Sequence, residues 1–534
     1  MIIDKIRRLG KTLDTADDLS DNKNIWVYLG IPIFISLLIK LILLSVLFNS
    51  PINNDGTLYI HAAQQYAMGN FAEGLRLYPM PTYPLLLVLV HAIIPDWIFA
   101  GFFISLLSIV LVTIPLYYLT ESMFNAKAGF WACMVLAVLP RMNYWSLDLM
   151  RDPLFLLLII SSIFFAQGAI VEKKYSFFMA AFVFAWSATL LRIEGVVFIA
   201  FYFIALLHAA VFNKENRSYY FSMLMIWAGI PIGIALLVLL SGGVRSMAVN
   251  RFDFVIRELI DLFSGGFLRR SSEIYQFLSD AGTRKPFFEG HYSFASLCKH
   301  FMPLIYMLGL VQIFVKILFP LSFIPLYAGI RDKTNSSGYS GKFILWTGVL
   351  FVGFSYYFLV KHDLIATRYL IVPAFLLLPW VGLGINRLWM NRNHFSHKKL
   401  VLFLIFIIIF VPTLKTFSLV KSKDTTTYRT IKWLVKNDKI GRVPIVVNDN
   451  IDSFYIDLAA EEKGDYIWKT YYHDKNKIAG SIEMFAKTKR AQLIILKVKK
   501  RHIDKIENFK AYKKIKSFAG NSYTTFIYSK AVEN

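Results

Sequence analysis

Residues 25–48 read IWVYLGIPIFISLLIKLILLSVLF, and residues 400–420 read LVLFLIFIIIFVPTLKTFSLV. Each run is near the ~20 apolar residues that an α-helix needs to cross ~30 Å of hydrocarbon. The whole chain of 534 residues is 56% hydrophobic and 17% charged. A soluble domain carries about 25% charged residues, so composition alone argues against a soluble fold. Eleven spans are expected, over residues 25–48, 98–120, 128–142, 153–170, 175–191, 195–212, 219–240, 302–330, 342–360, 369–386 and 400–420. Leu85 to Ile94 is apolar but too short to cross, and Pro84 and Pro95 bracket it, so it reads as a half-helix at the membrane face.

Lys5, Arg7, Arg8 and Lys11 open the chain, with acidic residues and Asn between them and the first span and no small-residue cleavage site. The first span is therefore expected to be retained. The net charge of +23 is scattered over short loops and the C-terminal region rather than gathered on one helix, which speaks for topology and against nucleic acid. Cys133 and Cys298 give neither a disulfide framework nor metal-ligand spacing.

Basic residues orient the spans. The N-terminal cluster, Lys127, Lys173 with Lys174, Lys214 with Arg217, Arg331 with Lys333, and Arg387, Arg392, Lys398 and Lys399 fall on one set of alternate connections, read as cytoplasmic. The opposite face then holds residues 49–97, the turn Asn143 to Arg151, the turn Arg192 to Glu194, the loop 241–301, Lys361 to Arg368 and everything after Val420. Within that long loop Phe252, Val255, Ile256, Leu259, Ile260 and Phe263 repeat at helical spacing among charges, as an interfacial anchor or the wall of a lipid-substrate groove. After Val420 the pattern changes. Short apolar runs, Val443 to Val447, Leu493 to Val498 and Thr524 to Tyr528, alternate with helical patterns at Tyr428 to Lys436 and Ile482 to Lys489. The expected division is a cytoplasmic segment 1–24, a transmembrane domain 25–420, and a small non-cytoplasmic α/β domain 421–534 with a covered, partly parallel sheet.

Chemistry-bearing residues gather on that outer face. Asp55, in Asn53-Asn54-Asp55-Gly56-Thr57-Leu58-Tyr59, reads either as a general base or as part of a turn and helix cap. Asp148, Arg151 and Asp152 crowd the stretch ending in Asp152-Pro153, where Asp152 is either a cap or a second active-site carboxylate that orients an acceptor or helps to hold a divalent ion. Arg76, Arg151, Arg192 and Arg368 are candidate phosphate ligands, because guanidinium forks match phosphate oxygens; each reads equally as a snorkelling helix-end arginine. Asp55, Asp152, Arg192 and Arg368 come from four separate connections assigned to one face, so they are able to converge.

In these features the chain resembles the GT-C glycosyltransferase superfamily, in particular the dolichyl-phosphate-mannose protein mannosyltransferase and aminoarabinose transferase group. The likeness runs over residues 25 to about 390. It rests on Asp55 with Tyr59, Tyr78-Pro79-Met80-Pro81-Thr82-Tyr83-Pro84, Asp152-Pro153-Leu154-Phe155, Arg192-Ile193-Glu194-Gly195, and Arg368-Tyr369-Leu370 with Pro373. The chain departs from the group at Gly56, where many relatives have Glu after the Asp, and at Pro79-Met80-Pro81, where relatives often have adjacent prolines and a basic residue. The resemblance implies a polytopic helical GT-C fold with a soluble C-terminal domain, with Asp55 as the base, Asp152 as a second carboxylate and Arg368 near the donor phosphate.

The implied activity is inverting transfer of a sugar from a polyprenyl-phosphate donor to a glycan, lipid or protein acceptor at the non-cytoplasmic face of the cell (inner or plasma) membrane. Tyr59, Arg76, Asp148, Arg151, Arg192, Glu194, Arg368 and Tyr369 are the expected substrate contacts, and no cofactor is required unless a divalent ion serves the carboxylates. Two alternatives stand beside it. One is an oligosaccharide ligase or polymerase using a lipid pyrophosphate-linked glycan; the other is a lipid-linked sugar flippase or transporter.

Overall fold

The computed structural model describes residues 25–47, 51–240, 257, 260–283, 294–331, 338–390, 398–421, 425–440, 443–463, 469–471, 480–505 and 509–530. The expected N-terminal segment and most of the amphipathic stretch 252–263 lie outside these residues. Two compact units are present: Met1–Lys40 with Ile104–Ser146 and Arg151–Thr416, and Leu41–Phe103 with Leu147–Met150 and Phe417–Asn534.

Among the described residues seven helices are long and apolar enough to cross a membrane: Trp26–Ser45, Trp97–Met123, Asp152–Glu172, Gly195–Phe212, Ser340–His362, Ile371–Met390 and Lys399–Leu419. Shorter apolar helices cover Thr82–His91, the expected half-helix, and Ala126–Val138 and Tyr175–Leu191. Prolines break two of the expected spans. Residues 302–330 form two helices, Met302–Leu318 and Pro320–Ile330, bent by 92°. The hinge is Phe319, at φ 64°, and a residue before proline is disfavoured in the helical region. The helix expected over 128–142 ends at Val138, Leu139 is extended before Pro140, and a new short helix Pro140–Ser146 follows.

Within the first unit, backbones approach where side chains are absent. A Cβ on Gly384 would lie 1.8 Å from the Pro325 carbonyl oxygen, and one on Gly329 would lie 2.0 Å from that of Trp380. Phe323–Ile330 and Leu378–Met390 therefore pack glycine to backbone, as membrane helices do when small residues line their contact. Buried Lys40 in the first span donates to Ser36 Oγ at 2.7 Å and to Asn143 Oδ1 at 2.9 Å, so the short helix Pro140–Ser146 is tied to that span.

Polar bonds show which connections share an end of this unit. Asn386 Nδ2 reaches Asn125 Oδ1 (3.5 Å), Gln167 Nε2 donates to Ser122 Oγ (3.1 Å) and Ser340 Oγ (2.7 Å), and Tyr219 OH donates to the Ala169 carbonyl (3.0 Å). The connections carrying Lys127, Lys173, Arg217 and Arg387 thus gather together. Elsewhere in the unit Lys361 pairs with Asp261 at 2.8 Å, joining the long loop to the end of Gly338–His362.

The second unit contains helices Asn54–Ala67, Phe71–Leu77 and Thr82–His91 and a five-stranded sheet. The strands are β1 (Ile445–Val447), β2 (Lys469–Tyr471), β3 (Leu493–Lys499), β4 (Tyr512–Ala519) and β5 (Tyr523–Lys530), in the order β2-β1-β3-β5-β4. β1 is parallel to β2 and β3, while β5 is antiparallel to β3 and β4. Alternation gives the sheet two apolar faces. Ile445, Val447, Leu493, Ile495 and Ile527 meet Leu434 and Ile456 on one face; Val446, Ile494, Leu496 and Phe526 meet Ile482 and Ala486 on the other.

Candidate active site

The residues singled out in the sequence fall into two groups, one in each unit. In the second unit Asn53 caps the helix Asn54–Ala67: its Oδ1 accepts from the Gly56 amide at 2.6 Å, and its Nδ2 donates to the Leu149 carbonyl at 3.3 Å. Asp55 therefore lies in the first turn without serving as the cap, half-buried, where the helix N-terminus favours a negative charge. A Cβ on Gly56 would meet Leu149 Cβ at 3.1 Å, so the segment 147–150 closes on this position and would have to give by a few tenths of an ångström to admit a side chain there. One turn on, Tyr59 is buried with its ring edge-on to Tyr78 (4.9 Å) and Tyr83 (5.0 Å), which puts the Tyr-Pro stretch against the Asp55 helix. Asp148 is buried and accepts from the Leu149 amide at 3.1 Å. Arg76 is exposed and pairs twice with Glu73 on its own short helix, at 2.6 and 2.7 Å.

In the first unit Asp152 opens its helix, but the preceding Arg151 makes no capping bond and the Asp152 carboxylate goes instead to Arg192. Arg192 is 2% exposed. Its Nη1 donates to Asp152 Oδ1, its Nε to Glu194 Oε2 at 3.3 Å and its Nη2 to Glu194 Oε1 at 2.5 Å. Its guanidinium also lies 5.6 Å from the rings of Phe155 and Tyr369. Arg151 Nη1 donates to the Leu191 carbonyl at 2.7 Å, and Arg368 lies over the Tyr369 ring at 5.6 Å. Asp152, Arg192 and Tyr369, from three connections, thus form one constellation in which Asp152 and Arg192 are buried and Tyr369 is half-buried, with Arg151 and Arg368 attached to it.

Electrostatics in this cluster are governed by pairing against burial. Burial works to lower the Arg192 pKa, but the adjacent Asp152 and Glu194 carboxylates outweigh it and hold the guanidinium above its ordinary value. Burial likewise raises Glu194, and Arg192, hydrogen bonds and the nearby Arg151 together bring it below the usual glutamate range. Both groups are charged over the working pH range.

Two neighbours carried no signal in the sequence. Arg141, on Pro140–Ser146, donates to Thr367 Oγ1 at 2.6 Å and lies 5.1 Å from the Trp145 ring. Tyr455, in the helix Asn450–Lys463, accepts from the Ile52 amide at 3.1 Å. Among the described residues no group of three or more His, Cys, Asp or Glu side chains is gathered as a metal site would require.

Beside the Tyr369 turn, Pro373, Leu376, Leu377 and Trp380 line an apolar cleft of about 190 Å³ with Phe314 and the 344–352 stretch of Gly338–His362.

Residues 79–240 match the dolichyl-phosphate-mannose-protein mannosyltransferase family. Among solved structures, an oligosaccharyltransferase from Archaeoglobus fulgidus is 12% identical, with a TM-score of 0.51 over 94% of this chain and 73% of that one. ArnT from Cupriavidus metallidurans gives TM-scores of 0.49 in the apo state (11% identity, 95% and 98% covered) and 0.45 bound to undecaprenyl phosphate (9%, 94% and 98%). No curated protein sequence matches. The family match and the shared fold bear out the GT-C resemblance read from the motifs.

Proposed function

We propose that this chain is a membrane glycosyltransferase of the GT-C type that takes its sugar from a polyprenyl-phosphate donor and transfers it with inversion to an acceptor at the non-cytoplasmic face. Asp55 removes the proton from the acceptor hydroxyl as its oxygen bonds to the anomeric carbon. The bond from that carbon to the phosphate oxygen breaks, and polyprenyl phosphate departs. Asp152 is the second carboxylate of the site. Arg192 is committed to Asp152 and Glu194, which fits it to orient Asp152 rather than to receive phosphate. Arg368, on the turn stacked against Tyr369, with Arg151 and Arg141, supplies positive charge for the leaving group.

The observation that carries a lipid-linked donor is the sequence of features along one stretch: the Arg368-Tyr369 turn leads into the segment whose Pro373, Leu376 and Leu377 line the apolar cleft. That is a cationic end beside a groove for hydrocarbon. Its test is transfer from a panel of radiolabelled polyprenyl-phosphate sugars by the purified chain, with native membrane extract as acceptor and Asp55→Asn as control. Transfer that survives Asp55→Asn undiminished refutes the assignment of the base. No turnover of any such donor by folded protein, with turnover of a pyrophosphate-linked glycan, moves the reaction to the ligase class.

A further inference from the structure

Ile52 is 1% exposed and precedes the cap of the Asp55 helix, so its amide cannot use that helix for a hydrogen bond and requires a partner from elsewhere. The partner is the Tyr455 hydroxyl, 403 residues further along the chain. Next to Tyr455, buried Phe454 packs on His61 of the same Asp55 helix, with ring centroids 5.2 Å apart. On its other side the Asn450–Lys463 helix sends Ile456 and Ala459 into the core of the sheet domain. One helix thus spans the distance from that core to the Asp55 loop. The loop, the segment 147–150 and the sheet domain also form a single compact unit. Burial first, and then the Asp148 and Asp96 charges, push the Tyr455 hydroxyl up to about 12, the Ile52 amide working against them, so it stays neutral and keeps accepting from that amide.

We propose that Tyr455 is a positioning residue of the transfer reaction: through the Ile52 amide the C-terminal domain fixes the loop from which Asp55 reaches the acceptor hydroxyl. This rests on the reading of Asp55 as the base. If Tyr455 served packing alone, phenylalanine would replace it without loss. The hydroxyl matters if the loop must be held, because a displacement of ~1 Å at a reacting group can cost ~100-fold in rate.

The test uses the full chain in lipid nanodiscs with the polyprenyl-phosphate sugar that it turns over. Tyr455→Phe is expected to lower kcat by about 10- to 100-fold while leaving the donor KM unchanged, and to lower the melting temperature only modestly, because it orphans one buried amide and leaves the Asp152–Arg192 cluster untouched. Residue-resolved hydrogen exchange provides a second measurement: the Ile52 amide is protected in the wild-type chain and exchanges faster in the variant. Wild-type kcat in Tyr455→Phe overturns the proposal, and so does an unprotected Ile52 amide in the wild-type chain, whether or not the variant folds. Asp55→Asn run in parallel separates the two readings. Its full activity would remove the base assignment, whereas an inactive Asp55→Asn beside a fully active Tyr455→Phe would remove this inference alone.

Discussion

Arg192→Met is the perturbation that most directly tests the buried charge network. Asp152 and Glu194 have side chains only 3% and 12% exposed, and Arg192 contacts both. Breaking a buried pair by deleting one partner typically costs ~3–5 kcal/mol, because the remaining charge stays desolvated. Two carboxylates are stranded here, although Arg151 still acts on Glu194, so a loss near the upper end, about 5 kcal/mol, is expected. The sign with pH follows from the depressed Glu194 pKa. A depressed carboxylate stabilises the fold above its unfolded value of ~4.3, and that contribution is lost as pH falls through the lower folded value. In Arg192→Met the same carboxylate is no longer depressed, and protonating it relieves the variant. Melting temperatures in detergent, followed by tryptophan fluorescence from pH 4 to 8, should show a wide gap between wild type and variant at neutral pH that narrows toward pH 4. Adding Asp152→Asn and Glu194→Gln to Arg192→Met should recover much of the neutral-pH loss. A gap independent of pH, or a melting temperature equal to wild type, would refute the argument that Arg192 holds two buried charges.

Gly384→Ala should lower the melting temperature and the folded yield sharply, at a cost of about 3 kcal/mol or more, because its Cβ would collide with the Pro325 carbonyl; Gly353→Ala, with nothing within 4 Å, is the matched control and should be neutral. Gly348→Trp, at the wall of the apolar cleft, should raise KM for long-chain polyprenyl donors by about tenfold and leave KM for a short-chain donor unchanged. An equal effect on both donors would dissociate the cleft from the lipid chain.

Hydropathy reveals the spans because desolvation in the bilayer dictates composition over ~20 residues, but it averages over local breaks. That is why Leu139-Pro140 and Phe319-Pro320 are read through as continuous helix, although each proline carries the physical reason for its break. Counting connections groups Asp55, Asp152, Arg192 and Arg368, and does not foresee that Arg192 is spent on Asp152 and Glu194. Choice of partner depends on rotamers and on the distance between turns, neither of which is written in spacing. In the C-terminal domain β3 and β5 are apolar enough to be read, whereas β4, YKKIKSFA, looks like solvated chain. It is an edge strand, and lysines there block pairing with another chain. Tyr455 has no local signature at all, since its partner amide belongs to a segment near the other end of the sequence.

The arginines of the Asp152 cluster bear on the leaving group that the proposed reaction releases. Arg192 is held by Asp152 and Glu194, whereas Arg151 and Arg368 border the cluster and Arg141 donates to Thr367 at the same turn as Arg368. A polyprenyl-phosphate sugar is a phosphodiester with one negative charge, and the departing polyprenyl phosphate is a monoester that carries closer to two. Negative charge therefore grows during the reaction, and on the proposed reading it grows beside these guanidinium groups. On that reading they favour the leaving group over the bound ester, and only an interaction stronger in the transition state than in the ground state raises kcat.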